Sequence, residues 1–391
     1  MIIERTICAD DSGKELRHYL RQEFTFSTRL LRRLKANNLI RVNGESVHTD
    51  ICIKEGDLLR IDLGCLSLPS SLIRPEHMPL DIVYEDKYLI AINKQAGRII
   101  HPSTYESAGT IANGLAHYFL QTGCISKIHP ISRLDRNTTG IVVFAKDSYT
   151  ADLLGEALRS GGFTKEYIGI VHGEISPHAG RIDLPLGRVK GYIMLRAASC
   201  GGKCARTYYE TLHKAQGMSV LRMRPITGRT HQLRAHLAAI GHPLLSDGLY
   251  GQDVYASPYG PYRLNEEHAS NSMPEYDCKY TNNEYKISNI EFKPRYCEYE
   301  DQTWQSQYGL ASQHSQLPQH VQPQQQAQRE QQAQREQLPQ REQLPQRSQH
   351  SLHSWRLTFP HPHTGEVMTI VGRPPEEFME LLNYMGYNPD L

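Results

Sequence analysis

The chain has 391 residues, 39% of them hydrophobic, so it is long enough for two domains and can bury at least one sizeable core. Lys and Arg number 43 against 42 Asp and Glu, a formal charge of +1, which excludes a global field that recruits anionic partners; attraction must come from local clusters. The N-terminal "MIIERTICADDSGKELRHYL" is charged throughout and no apolar run has the length of a membrane span, which predicts a cytoplasmic protein.

The eight cysteines are scattered, which suits reduced thiols better than a disulfide framework. Only Cys200 and Cys204 lie close, in "CGGKC", where the glycines read as a hairpin tip and no nearby Cys or His completes a zinc set.

In chain order, residues 14–36 carry two apolar-periodic helical segments, with Ser27 or Thr28 as N-cap of the second. On that second helix Leu30, Leu31 and Leu34 share a face, while Arg29, Arg32, Arg33 and Lys35 occupy the rest. No acid interrupts the span from Phe24 to Gly44. A one-sign face accepts repulsion that mixed i,i+4 pairs avoid, and phosphate contacts explain it better than solvation alone. "LIRVNGESV" predicts two short strands around an Asn-Gly turn and "EGDLLRIDL" another strand, so residues 1–65 read as a small α+β module.

Residues 66–78 have the Pro and Ser content of a linker. From Asp81 onward, β-rich runs ("DIVYED", "YLIAINK", "GIVVFAK", "KEYIGIVHG", "ARTYYETL", "SVLRMRPI") alternate with helical ones ("IANGLAHYFL", "TADLLGEALRS", "RTHQLRAHLAAIG"), an α+β domain on a mixed sheet. After Gly251 the composition shifts, and residues 266–349 contain Gln-rich hexads that cannot bury a core and are expected to be disordered. "LHSWRLTFPHPHTGEVMTIVG" then predicts two strands and "PPEEFMELLNYM" a helix, so the second domain, 79–391, is interrupted rather than ended by the repeats.

Two stretches concentrate polar groups that could carry chemistry. In "ISRLDRNTTGIVVFAK" an extended "SRLD" places Arg133 and Asp135 on one side and Leu134 on the other. A carboxylate flanked by the guanidiniums of Arg133 and Arg136 suits the anionic form that a nucleophile or base needs. In "RPITGRTHQLRAHLAAIGHPLLSDGLYG", Arg229, His231, Gln232, Arg234 and His236 crowd onto one short helix. Arg234, set among Leu233, Ala235 and Leu237, needs an acid, and Asp135 needs a cation. His231 and His236 are five apart, a poor spacing for two metal ligands on one helix. Tyr167 in "TKEYIGIVHG" suits either core packing or base stacking.

Taken together and in order, "YEDKYLIAINKQAG", "SRLDRNTTG", "TKEYIGIVHG" and "GRTHQLRAHLAAIGHPLLSDGLYG" resemble the successive motifs of the RluA-type pseudouridine synthases, over residues 78–251 and 352–378. The N-terminal module resembles the S-four-like RNA-binding appendage of many members. The resemblance implies a pseudouridine synthase fold with a mixed, mainly antiparallel sheet and flanking helices. It also implies isomerisation of uridine to pseudouridine in structured ribosomal or transfer RNA, by a monomer needing neither cofactor nor metal.

By that resemblance Asp135 is the catalytic aspartate, Tyr167 packs against the target base, Arg234 pairs with Asp135, and Arg133 takes the place of the flipped-out nucleotide. RNA contacts are expected from Arg133, Arg136, Arg229, His231 and Gln232, and from Arg29, Arg32, Arg33 and Lys35 of the module. The sequence departs from the family pattern at Gln95, Ser132, Asn137, Thr139 and Ser246, where Pro, His, Asp, Ser and Gly are usual; none of these removes a charged catalytic group. Two rivals differ in class: a catalytically dead RNA binder, with little reason to keep Asp135, Tyr167 and Arg234 together, and a metal-dependent hydrolase using the His-rich 231–242 stretch, for which Asp247 is the sole nearby carboxylate.

Overall fold

The computed structural model describes residues 2–64, 73–124, 126–192, 194–199, 201–251 and 349–388. The Gln-rich repeats and Cys200 lie outside the described residues, and so does the disorder expected for the repeats. Among the described residues no helix is long and apolar enough to cross a membrane.

The N-terminal unit contains β1 (Ile2–Thr6), α1 (Leu16–Phe24), α2 (Thr28–Ala36), β2 (Ile40–Val42), β3 (Glu45–Ser46) and β4 (Leu58–Asp62). Its antiparallel sheet runs β1-β4-β2-β3. The α2 helix starts where Ser27 Oγ accepts a hydrogen bond from Leu30 N at 3.0 Å, and it buries Leu30, Leu31 and Leu34. These leucines join Ile7, Leu16, Leu20, Ile53, Leu59 and Ile61 in the unit's own core, against which Tyr149 of the larger unit packs. Asn43 and Gly44, with φ of 52° and 86°, form the expected tight turn between β2 and β3. Strand β1 was not anticipated; four of its five residues are exposed and give no alternating signal.

The larger unit contains β5 (Ile82–Glu85), β6 (Leu89–Lys94), α3 (Ile111–Gln121), β7 (His129–Pro130), β8 (Thr139–Ala145), α4 (Ser148–Arg159), β9 (Thr164–His172) and β10 (Ala179–Asp183). A ribbon of β11 (Leu186–Arg188) and β12 (Arg196–Ala198) follows, then β13 (Arg206–Ala215), β14 (Met218–Pro225), α5 (Gln232–Ala239), β15 (Leu352–Pro360), β16 (Val367–Val371) and α6 (Glu376–Tyr384). The sheet runs β10-β13-β14-β9-β15-β8-β6-β5, with β16 beside β15 and β7 beside β8. Among the described residues only the β15–β8 pairing is parallel, so the sheet is mixed and mainly antiparallel, as the resemblance implied.

Strand β8 shows how the pattern makes two cores. All seven of its residues are buried; Val142 and Phe144 pack with Ile111 and Leu115 of α3, while Ile141, Val143 and Ala145 pack with Leu154 of α4 on the other face. Gly140, at φ 107°, is required where β8 meets β15, because a Cβ there would lie 2.2 Å from the Ser354 carbonyl oxygen. Strand β15 thus re-enters the centre of the sheet after the repeats.

The expected linker over 66–78 needs correction. Residues 65–72 lie outside the described residues, but Ile73 is buried in the main core. The Arg74 carbonyl accepts from Asn113 Nδ2 at 2.7 Å, and Glu76 N donates to the Asn113 carbonyl at 3.1 Å. Residues 73–78 are therefore pinned to the start of α3.

Candidate active site

Asp135 is positioned by its neighbours on both sides. The "SRLD" segment is not a strand; it follows β7 as an irregular stretch, yet Leu134 is buried in the main core as expected. Thr138 N donates to the Asp135 carbonyl at 3.2 Å and closes a turn. Lys94, at the end of β6 and 1% exposed, donates to the carbonyls of Arg136, Gln95 and Arg98 at 2.8, 2.9 and 3.0 Å. Its three N–H donors are thus saturated by backbone, and the loop after β6 is tied to the loop that bears Asp135. Burial pushes Lys94 down to about 7, with the charge of Asp135 opposing that shift.

Helix α5 brings the other charges. Arg234 Nη1 lies 3.3 Å from Asp135 Oδ2, so the expected pair forms. It is not the main partnership, however. Arg234 Nε and Nη2 donate to Asp247 Oδ2 and Oδ1, both at 2.8 Å, in a bidentate pair with no solvent exposure at the Asp247 side chain. Burial works against both charges, but the paired hydrogen bonds and opposite charge outweigh it: Asp247 is held below the usual carboxylate range and Arg234 above its own ordinary value. Asp247 also accepts from the backbone of Leu249 and Tyr250 at 3.0 and 3.1 Å, and the Tyr250 ring lies 5.0 Å below the Arg234 guanidinium. Asp135 is left with 27% of its side chain exposed, the more accessible of the two carboxylates around Arg234.

Tyr167 lies on β9 behind this site. It is 8% exposed and packs in the main core with Leu134, Met223 and Leu233. Burial, then the charge of Asp135, raises its hydroxyl above the ordinary tyrosine value, against a hydrogen bond with Ser354. Core packing is what the structure records for this residue.

The remaining sequence-predicted residues divide. His231 is buried, adopts φ 56° at the head of α5, and places Nε2 3.8 Å from Asp135 Oδ2 and Nδ1 3.2 Å from the Tyr250 hydroxyl. Burial lowers its pKa. Arg133 is exposed and makes no ion pair with a described residue. Arg229 is exposed, with Nε donating to the Cys204 carbonyl at 2.9 Å.

Gln232 and Arg136 both have partners within the protein. Gln232 is 4% exposed; its amide donates to the Arg206 carbonyl and Thr207 Oγ1, and its oxygen accepts from Thr227 Oγ1 and Arg229 N. A side chain consumed in this way anchors the 227–229 loop to β13. Arg136 turns away from Asp135 and pairs with Glu106, donating also to the Gly97 carbonyl at 3.2 Å.

Among the described residues no group of three or more His, Cys, Asp or Glu side chains converges to hold a metal. His236 bonds Thr207 Oγ1 and the Leu184 carbonyl, both at 3.0 Å, and points away from His231. His350, on the far side of the repeats, was not foreseen. It is 5% exposed, and its Nε2 meets Thr138 Oγ1 at 2.9 Å. Burial, reinforced by Arg234, pushes it down to about 4, so it is neutral beside the charged site.

The site is therefore a half-buried carboxylate beside a buried Arg–Asp pair. The RNA pseudouridylate synthase family profile matches residues 88–239. The chain is 35% identical over 252 residues to the uncharacterized RNA pseudouridine synthase YjbO of Bacillus subtilis, covering 63% of this chain and 87% of that one. The chain belongs to the RNA pseudouridine synthase family.

As a pseudouridine synthase it isomerises uridine in RNA. A further relative, the ribosomal large subunit pseudouridine synthase D of Yersinia pestis, is 33% identical over 254 residues, 64% of this chain and 76% of its own. The solved human RNA Pseudouridylate Synthase Domain Containing 4 aligns with 78% of this chain and 92% of its own, at 21% identity and a TM-score of 0.46.

Proposed function

We propose that Asp135 is the single catalytic carboxylate of this synthase, acting on a uridine flipped out of structured RNA. In the reaction the glycosidic C–N bond breaks, uracil rotates, and a C–C bond forms to the same ribose. Asp135 either attacks the sugar or removes a ribose proton as uracil leaves. The observation that carries this reading is the placement of Asp135: accessible itself, yet oriented by Arg234, whose own position is fixed by Asp247. A preoriented anion over the apolar floor of Leu134, Tyr167 and Leu233 suits a reaction from which bulk water is excluded.

Tyr167 supports the target base from below, and His231 borders the pocket as a neutral imidazole. Arg133 and Arg229, both exposed, contact the RNA backbone around the flipped nucleotide. Flipping costs a few kcal/mol and least in loops, so a structured loop is the target. The names of the relatives favour ribosomal RNA over transfer RNA. Residues 2–64 act as an S-four-like RNA-binding module through Arg29, Arg32, Arg33 and Lys35, and the protein works as a cytoplasmic monomer.

The test is to map pseudouridines in total RNA from cells with and without the gene, and from deleted cells expressing Asp135→Asn. One or more ribosomal sites absent from the deletion, restored by wild type and not by Asp135→Asn, is the expected result. Full restoration by Asp135→Asn removes Asp135 from the chemistry.

A further inference from the structure

We infer that the junction of the two units is a composite phosphate-binding surface, where Arg29 of the N-terminal unit and Lys127 of the catalytic unit hold one stretch of substrate RNA backbone. This rests on RNA being the substrate, and adds where the RNA runs and what the docking of the units accomplishes.

The units are held together by specific contacts between α2 and α4. The Phe26 ring meets Tyr149 edge-on, with centroids 5.1 Å apart. Ser27, the cap of α2, donates to Asp152 Oδ2 at 2.5 Å, and Arg33 Nη1 donates to Ser148 Oγ at 2.9 Å. Ser148 Oγ in turn lies 3.2 Å from His129 Nε2. The basic helix therefore has a defined position on the catalytic unit, set by these side-chain contacts.

That docking brings like charges together. Lys127 precedes β7 and sits close enough to Arg33 and Arg29 for their charges to add to burial in lowering its pKa. His129 is pushed down to about 4, chiefly by burial and then by Lys127 and Arg33, and so contributes no compensating or additional charge at neutral pH. Among the described residues neither Arg29 nor Lys127 has a carboxylate within ion-pairing distance. The junction also holds two carboxylates, Asp147, which caps α4 through Tyr149 N and Thr150 N at 2.9 and 2.8 Å, and Asp152, which accepts from Ser27; neither forms an ion pair with Arg29 or Lys127.

An interface formed for stability alone mixes signs, because like charges across it cost free energy in every state of the free protein. A polyanion laid over the junction reverses that cost and releases counterions. The location fits the substrate. Lys127 precedes Asp135 by eight residues, which at about 3.3–3.6 Å per residue sets a separation of at most ~29 Å. That is short enough for the strand flanking a uridine presented to Asp135 to reach the junction.

The experiment titrates full-length wild type, Arg29→Gln, Lys127→Gln and the double variant with a target stem-loop, from about 50 to about 200 mM salt. Arg33 is left intact because it bridges the units. Each single change is expected to weaken binding at low salt and to flatten the slope of log K against log salt by about 0.7–0.9, with the double variant showing the sum. An unchanged slope for Lys127→Gln, with Arg29→Gln flattened, means the N-terminal unit binds alone and overturns the composite surface; unchanged slopes for both also overturn it. Pseudouridine formation by wild type on the same RNA separates the two readings. Slopes that flatten as expected, with no turnover by wild type, support the junction and count against Asp135, whereas turnover with unchanged slopes overturns the junction alone.

Discussion

Arg234 and Asp247 form a two-point ion pair, Nε to Oδ2 and Nη2 to Oδ1, each at 2.8 Å. Both side chains are almost wholly withdrawn from solvent. Such a pair contributes little net stability over an apolar substitute, but losing one member strands the other charge, which typically costs about 3–5 kcal/mol. Asp247→Ala is therefore expected to lower unfolding free energy in urea by about that amount. It should also depress turnover beyond the fraction unfolded, since Arg234 loses the contact that aims it at Asp135. A variant with wild-type stability and rate would show that Asp247 has no positioning role.

Gln232 gives a prediction that separates an internal anchor from an RNA contact. Gln232→Leu leaves the Arg206 carbonyl and the Thr227 hydroxyl without their partner, a loss of about 1–3 kcal/mol. Its RNA affinity, measured on the folded fraction, should keep the wild-type salt slope. A slope flattened with no change in melting temperature would return Gln232 to the RNA surface.

Much of this was legible in the sequence, for identifiable reasons. Leu30, Leu31 and Leu34, and the unbroken apolar run of β8, announced their elements because burial imposes a period that local reading detects. Arg234 was recognisable because a cation among Leu233, Ala235 and Leu237 demands an acid. Which acid was not legible: Asp247 sits in the turn "SDG", a setting that reads as a surface loop. His350 reaches Thr138 across 212 residues of sequence, behind low-complexity repeats that hide its proximity. The internal bonding of Gln232 was not legible because nearly every residue of α5 is buried; when a helix has no exposed face, its period cannot tell an inward amide from an RNA-facing one.

Acid should destabilise the protein through its buried histidines. His129, His236, His350 and His353 are each pushed down to about 4 by burial, so the unfolded chain binds more protons than the folded one between about 4 and 6.5. Stability from these groups is complete above 6.5 and is lost as pH falls toward 4. Melting temperature should drop steadily across that window. A flat profile would show that these side chains are not buried as neutral imidazoles.

The repeats should be dispensable for catalysis. Their flanks meet in the structure, with Ser351 N donating to the Leu245 carbonyl at 2.9 Å, and closing a loop costs only about 0.6 kcal/mol per doubling of its length. Replacing residues 266–349 with a short Gly/Ser linker is expected to preserve melting temperature and the rate on a minimal RNA hairpin. Loss of either would assign that segment a structural or RNA-binding role.

The central claim is that one carboxylate, Asp135, performs the chemistry. The most direct test is single-turnover pseudouridine formation by purified Asp135→Asn on a saturating target hairpin, with RNA affinity measured in parallel. The substitution keeps shape and removes charge, so the account predicts no detectable product with affinity within a few-fold of wild type. Product formed at even a tenth of the wild-type rate would contradict it.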